Sequence, residues 1–448
     1  MAPGRPPPRL AGSRVAVTRA FLRDPLGFSC EVAAAHPTIV EVPILYTDYL
    51  FVSDPHLVDE ILVKHAQEIT KDRFTWRLRE FLGHGLLTSE GAHWKRQRRL
   101  IQPTFHRKRV AGYGEIMVSE AEATIAGWRG GEVRDVHHDL MGLTLGIAGR
   151  TFFGRDVGGG AAAVGEAVER VMDRYAGDFW EWALPLWVPT RANRRTVAAV
   201  RRVDGILEAI IADRRRSGAD TGDLLSLLLH AQDEDGGRMS DRQIRDECIT
   251  LFLAGHETTA LALTYALYLL AGHPEVGARV RDEAQAAAPG RPLGVDDLPR
   301  LRAAEQVIKE SMRLYPPAWS IGRELLAPFE VGGHTLRRGA QVGIFTWALH
   351  RDPGRFPEPL AFRPERWTEA FERSLPKQGY MPFGGGQRIC IGNTFAMVEA
   401  TLLLSTILRR FSFERTSTTS LRLRPSITLR PRGGVHLRVH EHAASTVA

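Results

Sequence analysis

The sequence predicts a mainly α-helical chain with a minor β lobe. Three observations lead there. From about residue 90 to 310 the apolar residues recur at helical spacing. Two β-branched, alternating segments, 39–54 and 329–346, lie outside that span. Strands do not alternate regularly with helices, which argues against a doubly wound parallel sheet. With 448 residues, 44% of them hydrophobic and 25% charged, the chain has an ordinary globular composition and the length to bury a large core.

Taken in order, residues 1–20 begin with the proline-rich, basic run MAPGRPPPRLAGSR and are expected to form a flexible tail, with a single domain over 21–448. The stretch IVEVPILYTDYLFVSD (39–54) reads as a hairpin centred on Thr47-Asp48. DPHLVDEILVKH follows as a helix, with Asp54 as N-cap and Pro55 in its first position. GGGAAAVG near 158–165 is a connection too short to separate domains. The segment 240–274 predicts a helix of roughly 45 Å. Ser240 and Gln243 form its capping box, and Gly272 and Pro274 stop it. After Cys390 one more apolar helix runs to about Arg410, ahead of a short β-like tail.

Composition narrows the function. Cys30, Cys248 and Cys390 are too few and too scattered for a disulfide framework or a zinc cage, which fits a reducing, cytoplasmic setting. The N-terminus lacks the apolar core of a signal peptide. No run of ~20 apolar residues is uninterrupted, so no membrane span is expected. Net charge is +7. The stretch 91–114 has no acid but carries Lys95, Arg96, Arg98, Arg99, Arg107, Lys108 and Arg109. Such a run is usually a solvated face; otherwise it meets an anionic ligand or an acidic partner. No nucleic-acid motif accompanies it.

Three segments carry candidate chemistry. AGHETT (254–259) interrupts the otherwise apolar 240–274 helix. Gly255 admits a close approach to the backbone. The Thr258 hydroxyl can bond back to the Ala254 carbonyl. Glu257 places a carboxyl in a buried region. KESMRLYPP puts Glu310 and Arg313 on one helix face, and FRPERW offers Arg366, so the three could form a structural tie. FGGGQRICIG (383–392) sets Cys390 just before a helix. It lacks the lysine of a phosphate-binding loop. A cysteine phosphatase loop would want arginine where Ala396 stands. A cysteine hydrolase, needing a nearby histidine, stays open. A thiolate for a metal also fits, because a helix N-terminus favours the ionised thiol. One thiolate without companions suits haem iron rather than zinc or an iron–sulfur cluster.

FGGGQRICIG resembles the haem-binding signature of the cytochrome P-450 family, FxxGxRxCxG. Phe383, Gly386, Arg388, Cys390 and Gly392 match every fixed position. AGHETT is similar to that family's oxygen-activation motif, Glu310-x-x-Arg313 and the PERW turn to its charge pair and meander, and Trp94 with Arg98 to its WxxxR helix. The resemblance runs from about Phe21 to Arg438; the one departure is Trp367, where phenylalanine is more frequent.

The resemblance implies a triangular helical prism around haem b (iron protoporphyrin IX). Cys390 would be the axial ligand to iron. Trp94, Arg98, Arg388 and Arg323 would hold the propionates, with Phe383 beside the sulfur and Gly255 and Gly392 giving clearance. Thr258 and Glu257 would hold water and deliver protons. The implied reaction inserts one oxygen atom from O2 into an apolar small molecule, by hydroxylation or epoxidation. No flavin or NAD fingerprint is present, so a ferredoxin or flavodoxin with its NAD(P)H-dependent reductase is the implied electron source, docking on 91–114. A monomer is implied. Pocket candidates are Phe74, Trp76, Leu82, Leu253, Ala254, Ala318, Trp319 and Ile427, with FWEWALPLWVP (179–189) in an access lid. A fatty acid, terpenoid, steroid or polyketide would each fit. The alternatives are a haem-thiolate isomerase or dehydratase, which tends to lose the acid–threonine pair, and a haem binder without turnover.

Overall fold

The computed structural model describes residues 4–44, 46–154, 165, 167–171, 174, 184–416 and 421–442. Within them the chain is mostly helical, with four small sheets. It divides into two compact units, residues 1–79 with 312–390 and residues 80–311 with 391–448. No helix among the described residues is long and apolar enough to cross a membrane.

The first unit is built on a five-stranded sheet, in the spatial order Ile39–Ile44, Thr47–Val52, Gln341–Ile344, Ile321–Leu325, Ile69–Lys71. Ile44 pairs with Thr47, so Thr47 and Asp48 belong to the second strand rather than to the centre of the turn. The turn falls two residues earlier than the sequence suggested, because the β-branched Thr47 is taken into the strand. Asp54 caps the following helix by accepting from His56 N, with Pro55 in the first turn. One face of the sheet is buried under Val58, Ile61, Leu62 and Leu349. The stretch expected as a flexible tail carries structure in its described part. Arg9 bridges to Glu41 on the edge strand, and Ser13 caps a helix over Arg14–Arg23.

The second unit is organised by a central helix, Asp241–Leu270. Ser240 and Gln243 cap it reciprocally, as the sequence predicts. Leu251, Phe252, Ala260, Leu261, Leu263 and Tyr265 are all buried on it, so most of its circumference is enclosed. Helices Val136–Phe153, Arg191–Ser217 and Asn393–Arg410 pack around it. The last of these is the apolar helix expected after Cys390, ending at Arg410 as predicted. GGGAAAVG and the first half of FWEWALPLWVP lie mostly outside the described residues.

Candidate haem site

The sequence-predicted site residues fall into two sets, one in each unit. In the first unit the segment after Phe383 is a tight loop. Cys390 N donates to Phe383 O at 2.9 Å, and Ile389 N to Gly386 O at 3.1 Å. Two glycines make this path possible. Gly384 has φ +72° and Gly386 φ +65°. A Cβ on Gly386 would stand 2.2 Å from Leu62 O, so the backbone of the preceding helical segment occupies the space where a side chain would be. Cys390 is exposed at the end of the loop. Cys248 is buried, and burial pushes its thiol pKa up; burial does the same at Cys30. Of the three cysteines, Cys390 is therefore the one presented to a ligand.

The same unit concentrates positive charge. Arg323, on Ile321–Leu325, is 6% exposed, and burial pushes its pKa down to about 10. Arg388 is likewise pushed down to about 10 by burial. Lys71 lies directly opposite Arg323 across the strand pair. Its pKa is driven well below the usual lysine value, first by burial and then by Arg323 and Arg388. Asp72 is the carboxylate that offsets Lys71 and Arg323. It is already engaged with Thr75 N at 3.2 Å. Like charges directly opposite one another in a sheet are destabilising. Two buried cations, Lys71 and Arg323, with the half-buried Arg388 close enough to depress the lysine, form an environment suited to an anion. Haem fits this donor set: a thiolate for iron and cations for propionates. Lys71 was missed in the sequence. Its signal would have been its alternation with Ile69 in a strand whose partner carries Arg323.

The other first-unit candidates are placed as follows. Asp72 caps the short helix Arg73–Arg77, which carries Phe74 and Trp76, and the Arg79 guanidinium sits 3.4 Å from the centre of the Trp76 ring. Ala318 accepts from Thr346 Oγ1 at 2.5 Å. Trp319 is buried against Phe345. Arg313 is fully buried and donates to the carbonyls of His350, Pro359 and Ala361 at 2.7–3.0 Å. Arg366 donates to the carbonyls of Pro357 at 3.0 Å and Glu358 at 3.5 Å. Both arginines thus tie down the segment 357–361. Glu310, on the same Arg302–Leu314 helix but belonging to the second unit, is also fully buried.

In the second unit the interruption of the central helix is visible as a change in exposure. Leu253, His256 and Glu257 are buried, whereas Ala254 is exposed and Gly255 and Thr258 are half-buried. Thr258 Oγ1 donates to Ala254 O at 2.7 Å, the bond the sequence predicts. What approaches Gly255 is the Phe152 ring, which a Cβ would meet at 3.3 Å. Glu257 is 1% exposed and points into the unit. Its Oε1 accepts from Thr428 Oγ1 at 2.5 Å and from Arg430 Nε at 2.7 Å. The pKa of the neighbouring His256 is lowered, first by burial. Thr428 and Arg430 follow Ile427, which is half-buried in the turn between strands Leu423–Pro425 and Leu429–Pro431. They were missed because they lie more than 170 residues from the motif they serve.

Trp94 is buried on the helix Gly91–Ile101, with the Arg98 guanidinium 5.7 Å from its ring centre. Leu82 is fully buried. Gly392 has φ −95°, and a Cβ there would stand in ordinary contact with the Phe105 ring at 3.5 Å. On the basic stretch, Arg96 is paired with Asp233 at 2.6 Å and Arg99 with Glu234 at 2.7 Å. Arg107, Lys108 and Arg109 are exposed.

Comparison with known proteins agrees with this chemistry. The profile of the Cytochrome P450 family matches residues 22–438. The chain is 37% identical to cyclooctatin synthase of Streptomyces melanosporofaciens, over 96% of this chain and 93% of that protein. It is 35% identical to cyclooctat-9-en-7-ol 5-monooxygenase of the same organism, over 90% and 88%. To pentalenene oxygenase of Streptomyces avermitilis it is 34% identical, over 87% of each. The crystal structure of the cytochrome P450DA heme domain superposes with a TM-score of 0.88 at 28% identity, covering 98% of this chain and 99% of that one.

Proposed function

The chain belongs to the cytochrome P450 family and is a haem-dependent monooxygenase, and from that premise we propose that it hydroxylates a cyclic terpene-type hydrocarbon or alcohol, with electrons supplied by a separate redox protein. The observation that carries the substrate class is the set of relatives at 34–37% identity, whose names give pentalenene and cyclooctat-9-en-7-ol as what two of them oxidise. Apolar pocket candidates such as Leu253, Ala254, Ala318 and Trp319 support an apolar substrate of this kind.

The cofactor in this reading is haem b. When bound, thiolate-ligated haem supplies the activation of dioxygen. Cys390 would hold its iron. Arg323, Arg388 and Lys71 would hold its propionates, joined by Trp94 and Arg98. Phe383 would lie beside the thiolate sulfur. The Thr258 hydroxyl, held by the Ala254 carbonyl, keeps a proton on an oriented oxygen at the open step of the helix. Ala254 leaves that step free of bulk. Glu257, fixed by Thr428 and Arg430, reaches that step only by breaking those bonds, so its contribution is that of a carboxylate held beside the threonine. A ferredoxin or flavodoxin with its NAD(P)H-dependent reductase would dock on the exposed part of the basic stretch.

The test is spectroscopic. The reduced, carbon-monoxide-treated protein is expected to show the strongly red-shifted Soret band of a thiolate-ligated haem, and Cys390→Ala to lack it. Titration with pentalenene is expected to displace the water on iron and shift the resting Soret band, while palmitate leaves it in place. A palmitate-selective response would overturn the substrate class, and a histidine-type carbon-monoxide spectrum would overturn the ligand assignment.

A further inference from the structure

Two consecutive carboxylates on the central helix perform a task that the site above does not use. Asp246 Oδ2 accepts from His84 N at 2.8 Å, and Glu247 Oε2 accepts from Leu86 N at 2.9 Å. Glu247 is fully buried, and its second oxygen accepts from Gln97 Nε2 at 3.1 Å. Gln97 sits between Trp94 and Arg98 on the next helix. One carboxyl group therefore holds both the loop 83–89 and the helix that carries two candidate propionate partners. Burial pushes the Glu247 pKa up to about 7, against the opposing hydrogen bonds from Leu86 N and Gln97, so the pin rests on the geometry of two buried hydrogen bonds, and a buried donor that loses its acceptor is costly.

The loop is built to come this close. A Cβ on Gly85 would stand 2.2 Å from Thr250 Oγ1 and 2.5 Å from Asp246 O. Gly83 has φ +63°. Thr88 Oγ1 donates back to Gly83 O at 2.7 Å, and Thr88 N and Ser89 N both reach Gly85 O. The sequence GHG thus lets bare backbone lie on the helix. The place where it lies matters. Positions 247, 250, 254 and 258 share one stripe of the helix. The docked loop covers the first two, and Ala254 lies one turn, roughly 6 Å, beyond Thr250.

We propose that Glu247 is a specificity-determining positioning residue: it pins the 83–89 backbone to the stripe that carries Ala254 and Thr258, so that the loop forms the end wall of the space over Ala254 and limits the size of molecule admitted there. This deepens the oxygenase reading and rests on it for the meaning of that space. The pinning itself is independent of turnover.

The experiment uses haem-loaded protein. Amide hydrogen exchange of peptides covering 83–89 is compared in wild type, Glu247→Ala, Glu247→Gln and Gly85→Ala. Exchange is expected to rise about tenfold in the alanine variant, as the acceptor of Leu86 N is lost, and to return to within about twofold of wild type in the glutamine variant. Gly85→Ala, which drives the loop off the helix and leaves the carboxylate in place, is expected to match Glu247→Ala, and it carries the test if the latter does not retain haem. The second readout is binding of imidazole and the larger 4-phenylimidazole, followed by the Soret shift. The ratio of their dissociation constants is expected to move by about fivefold or more toward the larger ligand in the freed-loop variants. Unchanged exchange at 83–89 would remove the pin. Faster exchange with an unchanged azole ratio would remove its role in specificity. Neither outcome bears on the carbon-monoxide spectrum, whose failure alone would overturn the oxygenase reading.

Discussion

Arg430 reaches from the strand Leu429–Pro431 to the central helix and places its Nε 2.7 Å from Glu257 Oε1, with the carboxylate 1% exposed. The acid of the oxygen-activation motif is therefore part of a buried ion pair, and Thr428 supplies a second donor to the same oxygen. Removing one partner of such a pair strands the other charge. Arg430→Leu is expected to destabilise the chain by about 3–5 kcal/mol, measured by denaturant unfolding. The double variant Glu257→Gln with Arg430→Leu is expected to recover most of that loss. A double variant no more stable than the single one would mean that Arg430 acts through contacts other than Glu257.

Lys71 and Arg323 lie opposite one another across two strands, and the lysine is held well below its usual pKa by burial and by two arginines. In the haem-free chain this charge is unfavourable; beside a propionate it becomes favourable. Lys71→Met is therefore expected to have opposite effects on two measurements. The melting temperature of haem-free protein should rise, and transfer of haem to apomyoglobin should accelerate by about tenfold, the loss of one charge-assisted bond. Slower haem transfer in the variant would place the propionates elsewhere.

Much of this was legible in the sequence, for identifiable reasons. The capping box at Ser240, the bond from Thr258 to Ala254 and the helix ending at Arg410 are local, and periodicity and hydrogen-bonding chemistry fix them within a few residues. Cys390 stood out because few residue types tolerate the backbone path ahead of it. What stayed hidden is non-local. Lys71 acquires meaning only when Ile69–Lys71 pairs with Ile321–Leu325. Arg430 matters only once a hairpin near the C-terminus packs on the central helix. Two arginines of the basic stretch have partners hidden for a related reason: Asp233 and Glu234, which pair with Arg96 and Arg99, lie about 135 residues downstream.

Glu399 predicts a pH dependence of stability. It is 1% exposed on the helix after Cys390, and burial pushes its pKa up to about 8 against the opposing hydrogen bond from Thr259. The folded state therefore favours the protonated acid. Its stabilising contribution is complete below the unfolded-state value of about 4.3 and is lost as pH rises through about 8. Glu399→Gln keeps a neutral, hydrogen-bonding group at every pH. The difference in melting temperature between variant and wild type should grow in the variant's favour between about pH 5 and about pH 8 and level off above that. A constant difference over that range would mean that Glu399 titrates outside it.

Gly386 tests the loop. Its φ of +65° and the 2.2 Å approach of Leu62 O to a would-be Cβ are two separate objections to any side chain. Gly386→Ala is expected to destabilise the chain by about 1–3 kcal/mol through backbone strain alone, with more added by the clash. Because the loop ends at Cys390, the variant should also show a weakened thiolate-type carbon-monoxide band relative to total haem. Gly433→Ala is the control: its φ is similarly positive at +81°, but nothing lies within 4 Å of a Cβ there. It should lose stability and keep the band.

The basic stretch separates into two roles that salt and mutation can distinguish. Arg96 and Arg99 are committed to Asp233 and Glu234, and Arg96 is three-quarters buried. Asp233 is correspondingly held below the usual carboxylate range, first by the Arg96 hydrogen bond. Arg107, Lys108 and Arg109 are exposed and remain available to an acidic partner. Lys108→Glu with Arg109→Glu is expected to slow reduction by a ferredoxin by about tenfold or more at low ionic strength, with the gap to wild type closing as salt screens the encounter. Melting temperature should barely change. Arg96→Ala should do the reverse: it should lower the melting temperature by releasing Asp233 and leave the salt dependence of reduction as in wild type. If Arg96→Ala flattens that salt dependence while the double reversal leaves it intact, the partner docks on the Arg96 side of the stretch.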